Sequence, residues 1–230
     1  MQFSSFLYSV YNKFRRDLHL RRFTRESGCA DAKSIFSFYH AKNLFGSKDS
    51  LSGTGSSLEA TRTIRMYLPG LLADLGIEKI LDIPCDDFFW AKEIDWNGLE
   101  YTGADVVEAL VAHNAEKYGR GNIRFKALDI LEDDLPEADL ILCRDLFIHF
   151  PNDHVLKALG CIKRSGAKYL LTTHYTGVDT NRDIPLGSFR PINLQRAPFC
   201  LPAPDRALSD GDYLDLWKRT LSLWPVEDLP

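Results

Sequence analysis

Two kinds of apolar spacing alternate along this chain from about residue 77 onward. "KILDIP" (79–84), "YTGADV" (101–106), "IRFKALDI" (123–130), "ADLILC" (138–143) and "KYLLTTHY" (168–175) are short apolar runs of the kind that form buried strands. Between them, "VEALVAHNAEKYG" (107–119) and "NDHVLKALGCIKRSG" (152–166) carry apolar residues at helical spacing. In the second, Asn152 is expected to cap the helix and Gly166 to stop it. Strands and helices alternating at this pitch predict βαβ units, hence a parallel sheet with helices on both faces. Right-handed crossovers make it doubly wound.

The flanking segments are less regular. In "SGTGSSLEATRTIRMYLPGLLADLG" (52–76), Ser56 and Glu59 have capping-box spacing. Ile64, Leu68, Leu71, Leu72 and Leu75 then form an apolar stripe, which Pro69 is expected to kink or restart. Gly53 and Gly55 ahead of it make a turn whose amides could face a ligand. Residues 176–204 are rich in Pro, Gly and polar residues, and a segment of that length is expected to be a binding loop or lid. "TLSLWPVEDL" (220–229) alternates like a final strand. At the other end, Phe3, Leu7, Val10, Phe14 and Leu18 recur at helical spacing among Lys13, Arg15, Arg16, Arg21 and Arg22. This is no secretory signal, since basic residues interrupt it. It reads as an accessory helix packed on the core, or else as one lying on an anionic membrane surface or covering a pocket. The expected division is a helical extension over 1–45 and one domain over 46–230.

Composition adds exclusions. The 230 residues are 45% hydrophobic and 26% charged, ordinary for a globular chain. A net charge of −4 gives no bulk reason for a nucleic-acid partner. No apolar run reaches the roughly 18 residues of a membrane span. Five cysteines, with no C-x-x-C pair, suggest reduced thiols and a cytoplasmic protein.

The chemistry concentrates at the strand ends, where doubly wound sheets bind ligands. Dinucleotide folds place glycines after the first strand so that a pyrophosphate can approach bare backbone. This chain has no glycine between Gly76 and Gly98; it has Asp82, then Pro84, Cys85, Asp86 and Asp87. Carboxylates there repel a diphosphate and suit a cation, which argues against an NAD-dependent oxidoreductase. At the second strand end, Asp105, with Val106 beside it, stands 23 residues after Asp82, a spacing that suits a ribose diol. Asp129, next to Ile130, ends the third strand and is placed to meet an adenine amino group. A nucleoside with positive charge and no phosphates fits this set, and S-adenosylmethionine (SAM) is such a molecule.

The order "LDIPCDD", "YTGAD", "LDI" and "DLILCRDLFIHF" resembles the class I SAM-dependent methyltransferases. More narrowly, residues 45 to 230 are similar to a bacterial subfamily with "SGxGSS", "LDIPCGDF" and "RPxNLxxxPF" segments. The resemblance implies a Rossmann-like seven-stranded sheet with its last strand antiparallel, Asp105 on the ribose and Asp129 near adenine. It also implies a glycan or small-metabolite acceptor, since members often sit among enzymes of polysaccharide biosynthesis. This chain departs from the motif at Asp86, where the subfamily has glycine. If that position requires a positive φ, a β-carbon costs roughly 1 kcal/mol there. Asp86 either contacts the cofactor's ammonium or impairs the site, leaving a non-catalytic methyltransferase-fold protein that acts as partner or regulator.

For the reaction itself, "CRDLFIHF" offers Asp145 and His149 four residues apart, a carboxylate and an imidazole suited to general-base work on a hydroxyl. His174 is a second candidate base. Arg144 joins the cofactor residues at the fourth strand end, and Arg65 is a candidate partner for the SAM carboxylate. Tyr175, Arg190 and Asn193 are expected to line the acceptor wall. Asp145, His149, His174, Asp179 and Asp183 contain enough ligand atoms for Mg or Mn, but their spacing matches no metal motif.

Overall fold

The computed structural model describes residues 18–20, 22–25, 31–45, 50–210 and 217–230. Seven strands form one sheet: β1 Lys79–Asp82, β2 Glu100–Asp105, β3 Ile123–Ala127, β4 Leu140–Cys143, β5 Tyr169–Tyr175, β6 Arg206–Ser209 and β7 Arg219–Pro225. Their spatial order is β3-β2-β1-β4-β5-β7-β6. The first five pair in parallel, whereas β7 runs antiparallel to both β5 and β6. Strand order therefore reverses between β1 and β4, and the crevice beyond their carboxyl ends is the topological switch point. Four main helices accompany the sheet: α1 Ala32–Ala41, α2 Arg62–Asp74, α3 Glu108–Tyr118 and α4 Asn152–Arg164.

The two-residue period of the strands builds two cores. Ile80, Leu140, Leu142 and Leu171 face one side and meet Ile64, Leu68, Leu71 and Leu72 of α2. Leu81, Ile141, Cys143 and Leu170 face the other and meet Val155, Ala158, Leu159 and Ile162 of α4. The α4 residues recur at i, i+3, i+4 and i+7, which explains why this stretch is a helix. No described helix is long and apolar enough to cross a membrane.

Several local expectations are revised. Asn152 is the first residue of α4, not its cap: Pro151 precedes it and Asp183 Oδ1 accepts from the Asn152 amide at 2.8 Å. Gly166 does take a positive φ of 77° just past the helix. The capping box at Ser56 and Glu59 does not form, because α2 starts only at Arg62. Pro69 lies inside α2 without ending it; Pro69 and Gly70 are exposed, where a helix tolerates a missing hydrogen bond. Residues 176–205 lack regular structure but are tied down. Tyr175, Gly187 and Arg190 donate backbone bonds to Ile192 O, His149 O and Ile148 O, and Ile192 and Leu194 are fully buried. They form a packed wall, not a free lid.

The amphipathic pattern up to Phe14 lies outside the described residues. Within the stretch expected as an extension, α1 buries Ile35 and Tyr39 in the main core, and Tyr39 OH donates to Gly187 O at 3.1 Å. Gly187 has φ +81°, and a β-carbon there would come within 2.7 Å of Ile35. Bare backbone is what lets the wall seat on α1.

Candidate functional site

The two strands flanking the switch point both end in left-handed backbone. After β1, Asp86 and Phe88 have φ of 50° and 55°; after β4, Asp145 has φ of 61°. Non-glycine residues held this way mark turns fixed by their surroundings. Asp86 N donates to Asp105 Oδ2 at 3.2 Å, and Asn114 Nδ2 of α3 donates to Asp86 O at 2.7 Å. The turn is thereby stitched to β2 and α3. β2 passes close beside it: a β-carbon on Gly103 would lie 2.7 Å from the Phe125 ring and 3.1 Å from Cys85.

Sequence reasoning brought five aspartates to this end of the sheet, and the structure gives each a different environment. Asp82 is buried and accepts from Tyr101 OH. Burial pushes its carboxyl up to about 7, against that hydrogen bond and the Arg144 charge. Asp105 accepts from Val107 N at 2.9 Å and from Asp86 N, and burial still raises it to about 6. Asp86 is held well above the usual carboxylate range, first by burial and then by the charges of Asp105, Asp87, Asp82 and Asp145. Asp87 does not face a ligand alone: it accepts from Leu51 N at 2.8 Å, Ser50 Oγ at 3.1 Å and Ser52 Oγ at 3.3 Å. It pins the glycine-containing segment 50–56 over the crevice. Asp129, half-buried after β3, caps Leu131 N at 2.9 Å and is raised by burial. Pro84, preceded by a cis peptide bond, and Cys85 form the floor of the first turn. Val106 and Ile130 directly follow Asp105 and Asp129.

Arg144 is paired elsewhere. Its guanidinium donates to Asp210 at 2.9 and 3.1 Å and to Gly55 O at 2.8 Å, and it lies over the Trp90 ring. Arg219 of β7 contacts Asp145 at 2.6 Å and Asp210 at 2.8 Å. These four residues latch β4 to the antiparallel end of the sheet. Burial opposes ionisation of Asp145, but Arg219, Arg144 and the Thr173 hydroxyl outweigh it and hold its carboxyl below the ordinary value.

The Asp145–His149 hydrogen bond expected from spacing does not form among the described contacts, although the His149 charge helps to lower the Asp145 carboxyl. Asp145 engages Thr173 and Arg219, while His149 Nδ1 lies 2.7 Å from Ser188 O. Residues 147–149 form a 3-10 turn, which removes the α-helical face that a spacing of four assumes. A carbonyl can only accept, so Nδ1 carries the proton and Nε2 is the basic nitrogen of the neutral ring. The imidazole sits among Phe45, Phe189 and Phe36, with ring centroids 5.4, 6.1 and 6.5 Å away.

His174 has no comparable access. It is fully buried against Trp224, accepts from Leu194 N at 3.2 Å, and burial lowers it to about 4. Arg190 is also enclosed, donating to Phe150 O at 3.0 Å and lying over Phe199. Burial brings its guanidinium down to about 10. Asn193 Nδ2 closes on Val178 O at 2.7 Å, and Tyr175 is buried. The two polar residues brace the wall from within. Arg65 donates to Leu58 O at 2.8 Å and lines a surface groove of about 520 Å³ with Arg62, Met66 and Glu93, away from the strand-end carboxylates. No cluster of three metal-ligating side chains occurs among the described residues.

Asn114, Asp210 and Arg219 escaped sequence reasoning. Asn114 had a signal, a polar residue in the apolar stripe of Leu110 and Val111. Asp210 and Arg219 had none.

No protein-family model and no curated protein matches the sequence. Among solved structures, the N-methyltransferase NodS from Bradyrhizobium japonicum WM9 superposes with a TM-score of 0.50 at 13% identity, over 73% of this chain and 96% of that one. Magnesium protoporphyrin IX methyltransferase (ChlM) from Synechocystis PCC 6803, solved with bound SAH, gives 0.48 at 17% identity over 64% and 73%. The PH0226 protein from Pyrococcus horikoshii OT3 gives 0.43 at 18%, over 54% of this chain and 61% of that one, so the chain spans about three fifths of its length. At such identities the likeness is one of architecture: this chain has the methyltransferase-like Rossmann fold, with its seven strands in mixed orientation.

Proposed function

We propose that this chain is a SAM-dependent methyltransferase of the cytoplasm that methylates a hydroxyl on a small-molecule or glycan-type acceptor. The observation that supports it most is the switch-point crevice, where Asp82, Asp86 and Asp105 converge without a hydrogen-bonded cation among the described residues and without the glycine cradle a diphosphate needs. A further sign of fit is Asn114 Oδ1, buried beside Asp86 without a partner among the described residues. SAM, when bound, supplies an electrophilic methyl on a sulfonium.

The chain's own groups take the remaining roles. Asp105, which accepts the Asp86 and Val107 amides, is assigned to the ribose hydroxyls. Asp129 is assigned to the adenine amino group. His149 is the proposed base: Ser188 O fixes its tautomer, and Nε2 would take the proton of the acceptor hydroxyl. Phe36, Phe45 and Phe189 form an apolar surround that limits water.

Calorimetric titration with SAM, S-adenosylhomocysteine (SAH) and NAD tests the reading. Binding of the first two and silence from NAD is the expected result. Silence from all three would favour a second reading, which the β-carbon of Asp86 in a glycine conformation supports: a non-catalytic methyltransferase-fold protein acting as partner or regulator.

A further inference from the structure

The five carboxylates near the crevice differ in one respect. Asp82 has the Tyr101 hydroxyl; Asp87 has Leu51 N and the Ser50 and Ser52 hydroxyls; Asp105 has two amides; Asp145 has Thr173 and Arg219. Asp86 alone receives no side-chain hydrogen bond from a described residue, although its own amide and carbonyl are both bound. Glycine would meet its φ of 50° without strain, so the carboxylate is what this position adds.

Resting on the cofactor reading above, we propose that Asp86 makes the site discriminate between the charged cofactor and its neutral product, by placing an uncompensated carboxylate in the field of the sulfonium. A sulfonium donates no hydrogen bond and can be stabilised only through space. SAM and SAH differ by one methyl and one positive charge, so a carboxylate acting through space separates them, whereas shape and hydrogen bonding treat them almost alike. Among the described residues, the guanidiniums of Arg144 and Arg219 are held by Asp210 and Asp145. The other described groups facing Asp86 are Asp82 and Cys85 from β1 and its turn, Asp87, Asp105 from β2, Asn114 from α3 and Asp145 after β4. All are acidic or neutral. Losing the positive charge on methyl transfer then weakens retention of the product, which favours its release.

The test is the ratio of SAM to SAH affinity in the full chain, in Asp86→Asn and in Asp86→Gly. Asparagine keeps the size and removes the charge; glycine suits the backbone, so both variants fold. Wild type is expected to favour SAM by on the order of tenfold or more, and both variants to bring the ratio near one. Titrations in buffers of different ionisation enthalpy add a second readout: SAM should release more protons than SAH from wild type, and the excess should vanish in Asp86→Asn. If both ligands bind and the ratio is the same in all three proteins, the discrimination fails while the cofactor reading stands. Equal loss of both ligands in Asp86→Asn also overturns it, since the carboxylate would then be acting on the ammonium they share. If neither ligand binds to any of the three, both readings fall together.

Discussion

Beyond β4, Asp145 and Asp210 share the guanidiniums of Arg144 and Arg219 through contacts of 2.6 to 2.9 Å. Beyond β1 and β2, a short distance along the same edge, the described residues give Asp82 and Asp105 only hydroxyl and amide donors and the Asp86 carboxylate none. The same side chain thus does opposite work in two adjoining regions. In the first, charge is balanced internally and joins strands distant in sequence. In the second, no described cation is hydrogen-bonded to the aspartates, and burial, joined at Asp86 by repulsion from its neighbours, raises three carboxyls above their ordinary range. Within a crevice lined by aspartates, the pairing separates the carboxylates of the latch from those with no cationic hydrogen-bond partner among the described residues.

The comparison can be broken most directly at Asp210. Asp210→Ala leaves Arg144 buried without its bidentate partner and should cost about 3–5 kcal/mol in urea unfolding. A cost below about 1 kcal/mol would mean that the latch holds nothing. A smaller effect of opposite sign is expected from Asp86→Gly, which should stabilise the empty protein by about 1 kcal/mol through relief of the left-handed backbone. That gain should increase with pH. A carboxyl raised in the folded state stabilises fully below its unfolded value of 3.8, and this contribution is lost as pH rises through the folded value. Unfolding of wild type and variant at pH 5 and pH 8 checks it; a gain that shrinks at pH 8 would reverse the assignment of the unbalanced region. The smallest effect belongs to Arg65, whose partner is the Leu58 carbonyl and which joins neither region. Arg65→Ala should change both stability and SAM affinity by no more than about 0.5 kcal/mol.

What the sequence revealed and what it hid follow the reach of each interaction. Strand and helix positions depend on residues two to four apart, so "KILDIP", "ADLILC" and the α4 stripe could be read directly. Asp105 was identifiable because its place at a strand end follows from the strand. The neighbours of Asp145 were not, since Thr173 and Arg219 lie 28 and 74 residues away. Local spacing also misled where the backbone left the helical track: Asp145 at positive φ and a 3-10 turn over 147–149 undid the expected contact with His149. Arg190 and Asn193 looked like ligand groups because polar residues in a long loop usually face solvent. Here the loop is packed, and its interior carbonyls needed donors.

The bond from Tyr39 to Gly187 spans 148 residues. Its two ends belong to the segments that enclose His149, one preceding the sheet and the other following β5. The surround of the proposed base therefore cannot be completed by any contiguous half of the chain. On the ribosome, the strands that form the switch-point crevice can pair as they are made, but the His149 enclosure must wait until residue 189 has emerged and folded back on α1. Contacts of such sequence separation close late because the loop entropy comes first. The strand-end crevice is then assembled before the enclosure of His149.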